Sequence, residues 1–91
     1  MTVTLVTGTS TGIGEATAIH LSRVGHTVYA SMRTPDASGG GLRRLAEEEG
    51  LDLALIALDV NDPVSVTSAV DGVIDRSGQI NVLVNNAGLG M

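Results

Sequence analysis

A glycine-rich turn near the start of the chain has residue types that can bind a phosphate. It spans Thr7–Gly14, follows the apolar run Val3–Val6 and opens a segment with helical periodicity. Gly8 would let the chain leave the strand in a tight turn, Gly12 would let the backbone approach a pyrophosphate, and Gly14 would let the helix pack closely on the strand. The helix N-terminus and nearby hydroxyls supply hydrogen-bond donors for an anion. Taken alone, such a cluster is more typical of an ordinary loop.

Two further motifs directly follow apolar runs later in the chain. Asp59 and Val60 follow the run 53–58, and Asn85–Gly88 follows the run 80–84. A carboxylate and two carboxamides at such positions would stand at the carboxyl ends of strands, where open parallel sheets bind their ligands. The alternatives are an Asx-turn or cap at Asp59 and an ordinary Asn-Gly turn in the second motif.

The pattern of apolar residues predicts the elements that position these motifs. Strands and helices alternate along the whole chain, which predicts an α/β fold with a doubly wound parallel sheet of order 3-2-1-4 and helices on both faces. The crevice of such a sheet would lie between the first and fourth strands. The predicted strands are 2–7, 27–32, 53–58 and 80–84, and the predicted helices are 13–24, 42–49 and 64–76.

Local signals refine this outline. Asp62 and Pro63 are expected to cap the third helix. Residues 34–41 contain a proline and three glycines and are expected to form a flexible connection. The first helix is expected to turn one face inward, formed by Ile13, Ala16, Thr17, Ile19, His20, Leu21 and Val24.

The composition excludes several classes of function. The chain has 91 residues, a net charge of −5, five Arg, no Lys and a single aromatic residue, Tyr29, which argues against nucleic-acid binding. It has no Cys, and His20 and His26 lack the spacing of a metal site, so no metal is expected. No apolar run approaches the roughly 20 residues that span a bilayer, and no signal peptide is recognisable. We therefore expect no membrane partner and a cytoplasmic protein.

The motifs together resemble the short-chain dehydrogenase/reductase family. The matching features are the spacing Thr-Gly-x-x-x-Gly-x-Gly, the strand Val28–Arg33, the pair Asp59-Val60 and the motif Asn85–Gly88, in the family's order. The resemblance implies a Rossmann-like half-domain over residues 1–91 of an enzyme that transfers hydride between a nicotinamide and a carbonyl or alcohol substrate. It also implies that the catalytic Tyr-x-x-x-Lys lies beyond this chain. Tyr29 is expected to be a core or interface residue, so no catalytic residue is predicted and the chain alone is expected to be inactive.

The end of the second strand predicts the choice of cofactor. An acid there favours NAD, whereas an arginine can pair with the 2′-phosphate of NADP. The resemblance places Met32 where NAD-using members carry the acid and Arg33 on the basic residue of NADP-using members. NADP(H) is therefore predicted over NAD(H), the alternative being a solvated arginine at the start of a loop. The residues predicted to bind the cofactor are Gly8, Thr9, Ser10, Thr11, Gly12, Ile13, Gly14, Arg33, Asp59, Val60, Asn86, Ala87 and Gly88.

Other functional classes agree less well with the residues. A methyltransferase-type fold would need an acid after the second strand, and a phosphate-binding NTPase would need a Lys after the glycines. The alternative that stays open is a non-catalytic nucleotide-binding module or truncated pseudoenzyme. A homo-oligomer is expected, because the fourth strand leaves a sheet edge that can pair with another chain.

Overall fold

A parallel sheet with helices on both faces forms the described part of the chain. The structure is a computed structural model that describes residues 2–9 and 12–85. The strands lie in the order β3-β2-β1-β4 and all run in the same direction. The predicted fold class is confirmed, and the predicted bounds lie within two residues of the observed ones. In chain order the elements are β1 (Val3–Val6), α1 (Gly12–Arg23), β2 (Thr27–Met32), α2 (Pro35–Ser38), α3 (Gly40–Glu49), β3 (Leu53–Ala57), α4 (Pro63–Ser77) and β4 (Val82–Val84).

Each face of the sheet has its own apolar core, because successive side chains of a strand point to opposite faces. On one side α4 covers the sheet, and on the other side α1 and α3 cover it. The core on the α4 side contains Val3, Leu5, Tyr29, Leu58, Ala69 and Val73. The core on the α1 and α3 side contains Val6, Ala18, Val28, Ala30, Met32 and Leu42.

The register of the strands brings their carboxyl ends to one side of the sheet. Val6 at the end of β1 is level with Ala30 of β2 and with Val84 of β4. Met32 at the end of β2 is level with Ala57 of β3. The segments that follow the four strands therefore leave the sheet on the same side, where the sequence motifs were predicted to meet.

The buried face of α1 differs from the predicted one. Ile13 and Val24 were expected to face the core, but they are 77% and 57% exposed. The buried residues of this helix are Gly14, Ala18 and Ser22, spaced four apart. Small side chains at this spacing let the helix approach the sheet closely, and the Ser22 hydroxyl donates to its own helix, to Ile19 O at 2.8 Å. Hydrophobic periodicity does not detect a contact face made of small residues.

The prediction of a flexible connection over residues 34–41 is wrong. This stretch contains α2 and the first two residues of α3, and Pro35 stands at the start of α2, where its missing N–H costs nothing. Gly39 is buried between the two helices, and a Cβ there would lie 2.6 Å from Leu55 Cδ1 and 2.7 Å from Pro35 O. The glycine is therefore required for close packing.

The prediction of a capped α4 is confirmed. Asp62 Oδ1 accepts a hydrogen bond from Val64 N at 3.0 Å, and Pro63 is the first residue of the helix. At the other end of the helix, Ser77 Oγ lies 2.6 Å from the hydroxyl of Tyr29, which is 5% exposed. Tyr29 is thus a core residue whose polar atom is satisfied, as expected for a buried tyrosine.

One ion pair joins α1 to the acidic end of α3. Arg23 Nε and Nη2 donate to Glu49 Oε1 and Oε2 at 2.9 and 2.6 Å. The hydrogen bond from Arg23 lowers the pKa of Glu49. A carboxyl group whose pKa is lowered by folding stabilises the protein above its unfolded pKa, and that stabilisation is lost as the pH falls through the lowered pKa.

We therefore expect Glu49→Gln to reduce the urea midpoint slightly at neutral pH and to leave it unchanged below the titration of Glu49. The effect is small because both side chains are exposed and solvent screens the pair. Urea unfolding at neutral and acidic pH measures this change in midpoint, and Glu48→Gln is the matched control. Equal midpoints for the two variants at neutral pH would contradict the prediction.

Candidate cofactor-binding site

A cavity of about 280 Å³ opens at the carboxyl ends of β1, β2 and β3. Its volume is close to the lower limit of roughly 300 Å³ for ligand pockets. The lining brings together four residues that the sequence predicted for the cofactor. The lining residues are Gly8, Met32, Arg33, Leu58, Asp59, Val60 and Asn61.

The two described glycines that flank the middle of the glycine turn have positive φ angles. Gly8 and Gly12 have φ angles of 68° and 63°, in the left-handed region where side chains are strained. A Cβ at Gly12 would meet no atom of residues 2–9 and 12–85 within 4 Å, so that part of the chain leaves space for a ligand beside Gly12. Gly14 is buried in the first turn of α1, and Ile13 is exposed beside it. Two other predicted residues, Ser10 and Thr11, lie outside the described residues.

The Thr9 hydroxyl joins the glycine turn to β2, and the Ser31 hydroxyl joins β2 to β1. Thr9 is fully buried, and its N–H and its Oγ1 both donate to Ser31 O, at 3.1 and 2.9 Å. The buried Ser31 Oγ in turn donates to Val6 O at 2.9 Å. The Thr9 hydroxyl, considered from the sequence as a phosphate donor, is therefore used to hold the turn. Sequence reasoning missed Ser31, because the contact depends on strand register.

Asp59 forms the Asx-turn that the sequence left as an alternative. Its Oδ1 accepts from Asn61 N at 3.0 Å, and its own N–H donates to Ser65 Oγ at 2.9 Å. The second carboxylate oxygen, Oδ2, makes no hydrogen bond with the described residues. The turn therefore orients the carboxylate at the cavity and leaves one oxygen to accept from a ligand.

Arg33 is the cation of the cavity lining. It is exposed directly after β2 and lines the same cavity as Asp59. Within residues 2–9 and 12–85 the one ion pair joins Arg23 to Glu49, so no carboxylate there neutralises Arg33. A guanidinium at this position can pair bidentately with a phosphate.

The ends of β1 and β4 are joined by side chains as well as by main chain. Thr7 N donates to Val84 O at 3.0 Å, and Thr7 Oγ1 donates to Asn85 Oδ1 at 3.2 Å. At the start of β4, Asn81 Oδ1 accepts from Val3 N at 2.8 Å, a contact that sequence reasoning missed. These bonds fix β4 beside the glycine turn. The predicted residues Asn86, Ala87 and Gly88 lie outside the described residues.

Comparison with known proteins identifies the family. A family model described as short chain dehydrogenase matches residues 2–91. The chain belongs to this family. This chain is 37% identical over 89 residues to 3-ketodihydrosphingosine reductase of Bacteroides thetaiotaomicron. The aligned region covers 98% of this chain and 29% of that protein.

Solved structures of other short-chain dehydrogenases share the fold. Menthone neomenthol reductase from Mentha piperita superposes with a TM-score of 0.87 and 35% identity, over 97% of this chain and 32% of that one. A variant of actinorhodin polyketide ketoreductase, solved with NADPH, gives a TM-score of 0.83 and 33% identity, over 93% and 32%. The chain thus spans about a third of the length of the short-chain dehydrogenases it matches, and the predicted family and Rossmann-like fold are confirmed.

The hydrogen-bonding groups at this site of the short-chain dehydrogenase chain fit the adenosine and pyrophosphate end of a nicotinamide dinucleotide. An open turn at a helix N-terminus suits the pyrophosphate, an exposed guanidinium suits a phosphate, and an oriented carboxylate suits an exocyclic amine. No group of three His, Asp or Glu in residues 2–9 and 12–85 is arranged to hold a metal ion. In the same part of the chain, none of the helices has the length and apolar character to cross a membrane.

Proposed function

We propose that this chain is the NADP(H)-binding part of a short-chain oxidoreductase that transfers hydride between the nicotinamide and a carbonyl or alcohol substrate. The observation that carries the proposal is the cavity that Gly8, Arg33, Asp59 and Val60 line together. Family membership supports a nucleotide-binding oxidoreductase module. The reductase named above that was solved with NADPH supports a nicotinamide cofactor.

Each part of the site would hold one part of the cofactor. The turn Gly8–Gly14 would hold the pyrophosphate, with its N–H groups and the partial positive charge of α1 directed at the anion. The Asp59 carboxylate and the Val60 backbone would hold the adenine. Asn86, Ala87 and Gly88 would line the nicotinamide half, where the bound cofactor supplies or accepts the hydride.

The preference for NADP(H) follows from the residues at the end of β2. A ribose 2′-hydroxyl is bound best by a carboxylate at this point, but here Met32 is 4% exposed and packs into the core. Arg33 follows it, exposed and without an ion pair among the described residues. A 2′-phosphate would gain charge-assisted hydrogen bonds from this guanidinium.

Binding, without proton transfer, is the role we assign to residues 1–91. Carbonyl reduction needs a general acid, and the single tyrosine is buried with its hydroxyl against Ser77. We therefore expect this chain alone to bind cofactor without reducing a carbonyl. The substrate would be handled by other parts of a longer enzyme, or by none in a non-catalytic binding module. The cytoplasmic location stays a prediction.

Titration of the chain with NADPH and NADH tests the proposal. We expect NADPH to bind about tenfold or more tightly than NADH, since hydrogen bonds to charged groups contribute about 1.5–3 kcal/mol. Arg33→Asp should remove this preference by weakening NADPH binding alone. Arg44→Asp, an exposed arginine of α3 outside the cavity lining, is the matched control. Equal affinities for the two cofactors, or unchanged NADPH binding by Arg33→Asp, would refute the preference.

A further inference from the structure

We propose that the outer edge of β3 pairs in antiparallel fashion with β3 of a second copy of this chain. Around a two-fold axis at Leu55, the two sheets would join into one, and the two α3 helices would lie side by side. The proposal rests on the unpaired main chain of this edge, on the absence of protecting residues along it, and on the charges of α3.

The main chain of β3 is paired on one side only. Asp52 O accepts from Val28 N, and Leu58 N donates to Met32 O, both at 2.9 Å. Because N–H and C=O directions alternate along a strand, residues 52, 54, 56 and 58 face β2 and residues 53, 55 and 57 face outward. No hydrogen bond within the described part of the chain engages these outward groups.

The five residues of β3 carry neither of the sequence features that usually prevent pairing, and the charge beside them on the other face is Arg76 of α4, which lines a cavity with Ile56 and Ala57. Natural sheets protect their edges with charged side chains, prolines or bulges. Leu53–Ala57 contains neither charge nor proline. The nearest charge, Asp52, is held inward because its Oδ2 accepts from Thr27 Oγ1 at 2.6 Å. A five-residue uncharged edge of this kind is suited to pairing with another strand.

The charges of α3 favour a second copy of this chain as the partner. A groove of about 590 Å³ runs between α3 and the edge, and Arg43, Ala46 and Glu47 line its helical side. Neither Arg43 nor Glu47 has an ion pair within the described chain. Arg43 lies near the start of α3 and Glu47 near its end, which opposes the helix dipole. This order opposes the dipole of each helix, although Arg43 and Glu47 are four residues apart and attract each other within one helix. Between two antiparallel copies the same order is complementary.

The two-fold arrangement satisfies the strand and the helix together. Leu55 would pair with Leu55 of the second copy, and Leu53 with Ala57 of the second copy, each pair exchanging two main-chain hydrogen bonds. An axis normal to the sheet keeps both α3 helices on the same face. Arg43 of each copy would then face Glu47 of the other.

The opposite edge does not offer the same arrangement. β4 has three residues, Val82–Val84, against five in β3, so its edge offers fewer main-chain groups for pairing. The observations therefore favour β3 as the edge that takes the second copy.

Sedimentation of the chain over a wide range of concentrations tests the proposal. We expect a monomer–dimer equilibrium that Ala57→Pro abolishes, because this substitution removes an outward N–H from an exposed position. Arg43→Glu and Glu47→Arg, made singly, should each weaken the dimer by about tenfold or more through like-charge contacts. The double variant Arg43→Glu/Glu47→Arg should restore it.

Arg44→Glu, on α3 outside the groove, is the matched control and should leave the dimer unchanged. Circular dichroism of each variant checks the fold, and the charge exchange keeps the test decisive if Ala57→Pro fails to fold. A monomer at every concentration would overturn the proposal and leave the edge to a different partner. The proposal would also be overturned if the double variant dimerised as weakly as the two single variants. A dimer that Leu83→Lys breaks and the Arg43 and Glu47 variants do not would place the interface at β4 instead.

Discussion

Gly12→Val is expected to weaken NADPH binding by about 100-fold or more while the chain stays folded. Several charge-assisted hydrogen bonds of about 1.5–3 kcal/mol each are lost together if backbone cannot approach the pyrophosphate. A side chain at Gly12 would enter open space, since no atom of the described residues lies within 4 Å of its Cβ position. The described part of the protein therefore tolerates the volume, and the new atoms would occupy the place proposed for the anion.

The backbone strain of this substitution needs its own control. Gly12 has a φ of 63°, and a side chain in the left-handed region costs about 1–2 kcal/mol. Gly50, at the end of α3, has a φ of 64° and the same open surroundings. Gly50→Val should lose similar stability and keep full NADPH affinity by calorimetry. Equal loss of binding in both variants would attribute the effect to instability and contradict the proposed turn.

The layout of the fold could be predicted because local signals and general rules agree. Alternating strands and helices with short connections favour a parallel sheet, and the position of the glycine turn after the first strand favours the order that is observed. Asp62 and Pro63 form the predicted helix start. Each of these features depends on neighbours in the sequence, which is why the sequence alone is enough for them.

The contacts that the sequence did not predict depend on neighbours in space. The face of α1 is formed by Gly14, Ala18 and Ser22, whose small size matters only once the sheet is beside them. The hydrogen bonds of Ser31 and Asn81 join strands that are far apart in the chain. Periodicity and composition carry no information about such pairs.

The predicted cofactor site shows the same division. Four predicted residues from three separate segments line one cavity: Gly8, Arg33, Asp59 and Val60. Their positions in the sequence alone do not show that they lie close together. The fold rule for carboxyl ends of strands supplied that step. The cavity lies at those ends, but over β1, β2 and β3, whereas the crevice was predicted between the first and fourth strands. What the rule could not supply is the Asx-turn that orients Asp59.

Gly39→Ala is expected to destabilise the chain by about 1–3 kcal/mol, the usual cost of overpacking a core. The backbone of Gly39 has a φ of −96°, which any residue adopts, so no conformational strain is involved. The added Cβ would collide with Leu55 Cδ1 at 2.6 Å and Pro35 O at 2.7 Å. It would also lie 3.3 Å from the sulfur of Met32, which lines the cofactor cavity, so NADPH binding should weaken too.

Gly41→Ala, two residues later in α3, is the matched control. Its Cβ would meet nothing within 4 Å, and alanine favours a helix over glycine by about 1 kcal/mol, so this variant should be equally or more stable. Urea unfolding of both variants separates two descriptions of residues 34–41. A flexible connection, as the glycines alone predict, would tolerate both substitutions alike. If the stretch is a packed corner between α2, α3 and β3, Gly39→Ala should lower the free energy of unfolding and Gly41→Ala should not. Of these two positions, Gly39 is the one without space for a methyl group.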